Sequence, residues 1–195
     1  MKNYLNDLEN VEDIKSRVTP QRILGDIIEN ESSQSAALSS QVVNGVCSDS
    51  RRVVPGSAFF AIPGSRTNGE QYLGEAVERG AKVIISESSD LELPVGIRNI
   101  KVNNARKAMA RFSKRFYNSP DESLSLIGIT GTNGKTTTAW MVHYLLKQCG
   151  RLAGLMGTIH HHVGHQIIPA KRTTPEADVL HPYLYEMERQ GAKAA

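Results

Sequence analysis

The chain has 195 residues, 39% of them hydrophobic and 22% charged, with a formal net charge of +3. That balance belongs to a globular protein large enough for one or two cores, and it excludes a disordered or fibrous chain. No block of Lys and Arg marks a nucleic-acid surface, no apolar run reaches the roughly 20 residues of a membrane helix, and Cys47 and Cys149 stand in no metal-ligand or disulfide-framework spacing.

Taken in order, residues 1–17 mix acids and bases with few large apolar groups and read as an N-terminal arm. They contain no apolar h-region, so no secretory leader is expected and the chain reads as cytoplasmic. Thr19-Pro20 is a helix start, with Ile23, Leu24, Ile27 and Ile28 on one face. The Ser/Ala-rich stretch 32–40 reads as a loop. Val42, Val43 and Val46 mark a first strand over 41–47, which runs into Ser48-Asp49-Ser50-Arg51-Arg52 and a Pro55-Gly56 turn. A second strand is expected over 57–62, then a glycine loop from Pro63 to Gly69. A helix over 71–79 turns Leu73, Ala76 and Val77 inward and is capped by Gly80. Strands over 82–86 and 97–102 follow. Asn103 and Asn104 then cap a helix over 105–117 whose Ala108, Met109, Phe112 and Phe116 repeat at core spacing.

Asn118 to Ser123 stops that helix. It divides a domain over 18–118 from a second over 124–195, with 119–123 as linker. In the second domain the apolar run Leu124 to Ile129 reads as a short buried strand. A glycine-rich turn follows, then a helix over 136–148 with Val142, Leu145, Leu146 and Cys149 inward. A strand over 152–156 and a hairpin or long loop over 157–168 come next. Thr174 as N-cap and Pro175 at the first turn open a helix over 176–190, with Ala177, Leu180, Leu184 and Met187 inward. His160, His161, His162 and His165 crowd the hairpin without a nearby Cys or an i, i+4 partner. They read as solvent-facing imidazoles rather than a metal site. His143 and His181 read as surface or partly buried helix residues. Two parallel strands and two helices do not close a parallel sheet, which is buried on both faces. The chain is therefore expected to be the N-terminal part of a longer protein.

The chemistry concentrates in Gly131, Thr132, Asn133, Gly134, Lys135, Thr136 and Thr137. A strand, a glycine-rich turn and a helix start make a phosphate cradle: the first helical N–H groups are unpaired, and the dipole is positive there. Gly131 and Gly134 let the backbone approach an anion. The dipole disfavours a cation at that end by several tenths of a kcal/mol, so Lys135 makes sense when a phosphate faces it. Thr136 offers a hydroxyl to Mg²⁺. The general G-x-x-x-x-G-K-[ST] pattern is incomplete, since Ile129 stands where its first Gly belongs.

This variant, Gly131 to Thr137, resembles the ATP loop of the Mur ligases and folylpolyglutamate synthases, which are ATP-dependent amide-forming enzymes. Asp49-Ser50-Arg51, Pro55-Gly56, Phe59 to Ile62, the glycine loop and Gly80-Ala81 resemble the N-terminal domain of Mur ligases that bind a UDP-N-acetylmuramoyl peptide. That resemblance implies Ser48 and Ser50 on the uracil and ribose, and Ser65, Arg66 and Thr67 near the diphosphate. The loop departs from the family by reading Arg-Thr-Asn-Gly-Glu where Asp-Gly-His is commoner. Thr173-Thr174-Pro175-Glu176 resembles the branch that adds the third residue, in which both threonines contact the muramoyl peptide. Arg172 stands where Asn or Leu is usual.

The implied fold is α/β: a small N-terminal uridine-nucleotide-binding domain, then the start of a mostly parallel-sheet P-loop domain that binds ATP. The implied reaction is ATP-dependent addition of meso-diaminopimelate or L-lysine to UDP-N-acetylmuramoyl-L-alanyl-D-glutamate through an acyl phosphate. Lys135 would be catalytic, Thr136 would hold Mg²⁺, and Gly131 to Thr137 would wrap the ATP phosphates. The family's modified lysine, remaining Mg²⁺ ligands and amino-acid domain would lie past Ala195, so this chain is expected to bind without turnover. A monomer without nucleic acid or membrane insertion is expected. Two alternatives stay open: another Mur-type or folylpolyglutamate-type ligase, and a non-catalytic nucleotide-binding module.

Overall fold

A computed structural model of the chain describes residues 20–24, 41–64 and 67–195, which divide after Phe116 into two compact units. The expected N-terminal arm, Ile27 and Ile28, the Ser/Ala loop, Ser65 and Arg66 lie outside the described residues.

The first unit is built on a parallel sheet. Strands β1 (Arg22–Ile23) and β2 (Val42–Val43) pair antiparallel beside it. Strands β3 (Gly45–Cys47), β4 (Ser57–Phe60), β5 (Val83–Ser86) and β6 (Arg98–Lys101) lie side by side in chain order, all parallel. Every residue of β3, β4 and β5 is buried, as their unbroken apolar runs require in a sheet covered on both faces. The edge strand β6 buries Ile100 and leaves Arg98 and Lys101 exposed. Helix α1 (Leu73–Glu78), entered through a 3₁₀ turn over Gly69–Tyr72, packs with Cys47, Val53, Phe59, Ala61, Ala81 and Ile84 through Ala76. Helix α2 (Ala105–Phe116) lies against β3 and β4 with Ala108, Met109, Phe112 and Phe116 buried. Phe112 meets Phe60 edge-on at 5.3 Å.

Two expectations change here. The chain after Pro20 is extended before it turns helical at Leu24. Leu24 N donates to Gln41 O at 2.7 Å, and Leu24 and Val43 are fully buried, so pairing with 41–43 overrides the local helix signal. The single strand expected over 41–47 is broken at Asn44, whose N–H donates to Gly56 O at 3.1 Å and whose side chain donates to Pro55 O at 3.2 Å. That anchor turns β3 into a different sheet from β2.

In the second unit, residues 120–123, expected as linker, form a helical turn, α3 (Pro120–Ser123), against the last helix. Helix α4 (Lys135–Gln148) follows the glycine loop. Strands β7 (Leu155–Met156), β8 (His160–Val163) and β9 (Gln166–Pro169) make an antiparallel sheet, with the hairpin turn at Gly164-His165. Helix α5 (Ala177–Arg189) covers it through Tyr183, Leu184 and Met187, which join Leu124, Val163, Ile168 and Ala192 in one core.

Four further expectations are corrected. Leu124 is buried, but Leu126 and Ile127 are 50% and 47% exposed, so 124–129 is no buried strand. Its pairing is with the end of the chain: Ser125 N donates to Lys193 O at 3.0 Å and Ile127 N to Ala195 O at 2.9 Å. Ala194 bridges both Ser125 and Ala153 in parallel. No α4 residue is buried; Val142 and Leu146 are half-buried, while Leu145 and Cys149 are exposed. Parallel pairing this narrow offers the helix too little surface to cover. The α5 ladder starts at Glu176, whose carbonyl accepts from Val179 and Leu180, so neither Thr174 nor Pro175 caps the helix. Glu176 and Asp178 supply the negative charge that this end favours. His161 is 3% exposed and packs on Tyr183, because strand alternation turns it inward with Val163. No helix among the described residues is long and apolar enough to cross a membrane.

Candidate functional site

The chain carries two candidate sites, one in each unit. The glycine loop before α4 is the simpler. Gly134 is the N-cap of α4 with φ 78°, and Gly131 has φ 141°. Both angles lie where a side chain is strained. No side chain caps α4, so its first N–H groups have no side-chain acceptor and face the loop. Lys135 Nζ folds back over the loop and donates to the carbonyls of Gly131 and Thr132. The ammonium is thus held at the loop by neutral acceptors that an anion could replace. Thr136 is half-buried in the first turn; Thr132, Asn133 and Thr137 are exposed. These features fit a nucleotide phosphate. Among the described residues no three His, Cys, Asp or Glu group to hold a metal. A Mg²⁺ here would take the Thr136 hydroxyl and complete its shell with phosphate oxygens and water. Thr173 and Thr174 are exposed on the segment before α5, where Arg172 pairs with Glu176 at 3.6 Å.

The second site lies at the carboxyl ends of β3 and β4. Open parallel sheets bind ligands in the crevice beyond those ends. Ser48 to Arg52 leave β3 there, and 61–64 leave β4. The β4 loop is closed on itself: Gly64 N donates to Thr67 O and Gly69 N to Ile62 O, both at 3.0 Å. Ser48 is half-buried, Ser50 is buried and Thr67 is exposed. Because β3 and β4 are adjacent, Ser48, Ser50 and Thr67 emerge on one edge of the sheet.

A charged network stiffens the Ser48 turn. Ser50 Oγ donates to Glu75 Oε2 at 2.5 Å. Arg51 donates Nε and Nη2 to the two Asp49 oxygens at 2.9 and 2.7 Å. The Ser50 hydroxyl, with Arg79 adding to it, holds the Glu75 carboxyl below the usual carboxylate range. The Arg51 guanidinium does the same for Asp49. Both acids are anchors at neutral pH, not proton donors. Glu75 escaped the sequence reading because it sits 25 residues from Ser50 on a helix read only for its apolar face.

In the second unit, His162 lies between Trp140 (4.8 Å between ring centroids) and His143 (5.0 Å). Burial, and then the neighbouring His143, push His162 down to about 4.

The comparisons with known proteins match both units separately. Residues 42–117 match the model described as "Mur ligase family, catalytic domain", and residues 129–195 match "Mur ligase middle domain". The chain belongs to the Mur ligase family. Two relatives are named UDP-N-acetylmuramoyl-L-alanyl-D-glutamate–2,6-diaminopimelate ligase. The one from Caldanaerobacter subterraneus is 41% identical over 77% of this chain and 31% of its own length. The one from Geobacter sulfurreducens is 35% identical over 94% of this chain and 34% of its own. A solved structure of a ligase with that name is 28% identical with a TM-score of 0.66, covering 91% of this chain and 35% of that one. This Mur ligase chain thus spans about a third of the length of the relatives it matches.

Proposed function

We propose that this Mur ligase chain forms the uridine-nucleotide-binding and ATP-phosphate-binding parts of a ligase that joins 2,6-diaminopimelate to UDP-N-acetylmuramoyl-L-alanyl-D-glutamate. The observation that carries the reading is the helix start at Gly134, free of side-chain caps and overhung by Lys135, in a chain with relatives that bear that name. Those names favour diaminopimelate over the lysine that the residues alone leave open. In this reading the D-glutamyl carboxylate attacks the γ-phosphorus of ATP, and ADP leaves. The amine of the amino acid then attacks the acyl phosphate, and inorganic phosphate leaves as the amide forms. Lys135 exchanges its loop carbonyls for phosphate oxygens and neutralises charge that builds on the transferring group. The backbone of Gly131 to Thr137 fixes the triphosphate. A bound Mg²⁺, held through Thr136, would supply further charge neutralisation between the phosphates. Ser48, Ser50, Ser65, Arg66 and Thr67 take the uridine diphosphate, and Thr173 and Thr174 the muramoyl peptide.

The same reading makes the isolated chain a binder without turnover, monomeric and cytoplasmic, with no nucleic-acid or membrane partner. The test is calorimetry with Mg·ATP and with the UDP-muramoyl dipeptide. Lys135→Ala should weaken Mg·ATP binding at least about tenfold through loss of charge-assisted bonds. It should change unfolding free energy by less than about 0.5 kcal/mol, because the side chain is at the surface. Mg·ATP heat that is absent from the wild-type chain, or unchanged in the variant, refutes the loop assignment. Amide formed by the isolated chain refutes the binder-only part.

A further inference from the structure

Ser50 has one hydroxyl proton, and the fold has assigned it. Its Oγ donates to Glu75 Oε2 at 2.5 Å. The other Glu75 oxygen accepts from Arg79 Nε at 3.1 Å, and Arg79 Nη1 donates to Arg51 O at 3.3 Å, which returns the network to the Ser50 turn. An ionised carboxylate only accepts, so turning the Ser50 proton elsewhere would strip a charged oxygen of its donor. Ser50 itself is 5% exposed, which leaves its hydroxyl little freedom to rotate. What the Oγ retains for a ligand is lone pairs.

We propose that Glu75 is the specificity-determining positioning residue of the β3–β4 site: by holding Ser50 Oγ as a pure acceptor it selects a base that presents a ring N–H, uracil, over one that presents a bare ring nitrogen, cytosine. The proposal rests on the reading of that site as a uridine-nucleotide site. Uracil N3 carries a proton between two carbonyls. Cytosine N3 carries a lone pair, and opposite an acceptor the two lone pairs repel. Ribose and phosphates are common to both nucleotides, so the difference falls on the base edge. Glu75 acts through Ser50 and needs no contact with the ligand. A glutamine at 75 can donate its amide to Ser50 Oγ instead, which frees the hydroxyl proton to meet a bare nitrogen.

The test titrates the full chain with UDP and with CDP by calorimetry or ligand-observed NMR, for the wild type, Glu75→Gln and Ser50→Ala, with circular dichroism confirming the fold. The wild type should favour UDP by about tenfold or more, and both variants should narrow that ratio to within about threefold. In Glu75→Gln the change should come mainly from tighter CDP binding. A merely structural role would weaken both nucleotides by one factor, and an unchanged ratio overturns the proposal. If Glu75→Gln does not fold, the ratio in Ser50→Ala decides in the same way. UDP binding without preference over CDP overturns this proposal alone; no UDP binding at all overturns the uridine-site reading with it.

Discussion

Gly69 closes the β4 loop, and a methyl group there has nowhere to go. An added Cβ would lie 2.5 Å from Ile62 N, 2.8 Å from Ala61 C and 2.9 Å from Ala61 Cα. All three are backbone atoms, so no side-chain rotation relieves the overlap. Comfortable carbon contacts are about 3.5–4.0 Å, so the strands of the loop must part by roughly an ångström. The Gly69 N to Ile62 O bond at 3.0 Å must stretch with them. Overpacking costs typically about 1–3 kcal/mol, and a backbone-on-backbone overlap belongs at the top of that range. Gly74, five residues on in α1, is the internal control: an added Cβ meets nothing within 4 Å. There Gly→Ala should stabilise by up to about 1 kcal/mol through helix propensity. The expected gap between Gly69→Ala and Gly74→Ala is therefore about 3–4 kcal/mol, measured by urea unfolding. Gly69→Ala should also lower UDP affinity, since the loop that carries Thr67 is displaced, while Gly74→Ala should leave it unchanged. A Gly69→Ala chain within about 0.5 kcal/mol of wild type, or two variants that shift the same way, refutes the steric argument.

Gly134→Ala has the opposite cause: an added Cβ meets nothing within 4 Å, but φ is 78°. Strain alone should cost about 1–2 kcal/mol and reshape the loop, so Mg·ATP affinity measured by calorimetry should fall by about tenfold or more. Phe112→Ala removes a buried ring packed on Phe60 and Phe116, and chemical denaturation should register a loss of about 3–5 kcal/mol. His162 titrates near 4 in the folded chain against 6.5 when free, and burial lowers His143 and His161 as well. The unfolded chain then binds more protons between those values, so stability is full above about pH 6.5 and falls as pH drops toward 4. Thermal midpoints should follow that slope, and His162→Phe should flatten it; an equal slope in the variant counts against the buried imidazole as its source.

Much of this molecule could be read from residue order because the signals are local. Val83 to Ser86 is a strand buried on both faces, and its apolar run says so without help. Ala108, Met109, Phe112 and Phe116 recur at helical spacing and are core. The glycine loop and the helix start after it are legible because Gly131 and Gly134 take positive φ angles there. Two of the misreadings come from neighbours that are distant in the chain, and one from where a local ladder starts. Arg22-Ile23 is extended because 42–43 lies across from it, not because of its own preferences. Thr174-Pro175 looks like a cap, yet the hydrogen-bond ladder begins at Glu176. Leu124 to Ile129 looked buried on composition, but burial needs neighbours on both faces.

What residue order alone determined here was which segments are apolar, which turns need glycine, and where a cation waits beside a helix dipole. Tertiary structure decided who meets whom. It set the Lys193–Ala195 tail between Ser125 and Ala153 and turned His161 inward against Tyr183. It also brought Glu75 across 25 residues to accept the hydrogen bond that Ser50 donates. A hydrogen bond is short-ranged and directional, so its partner is named by the path of the chain through space, and that path is a property of the whole fold rather than of either residue.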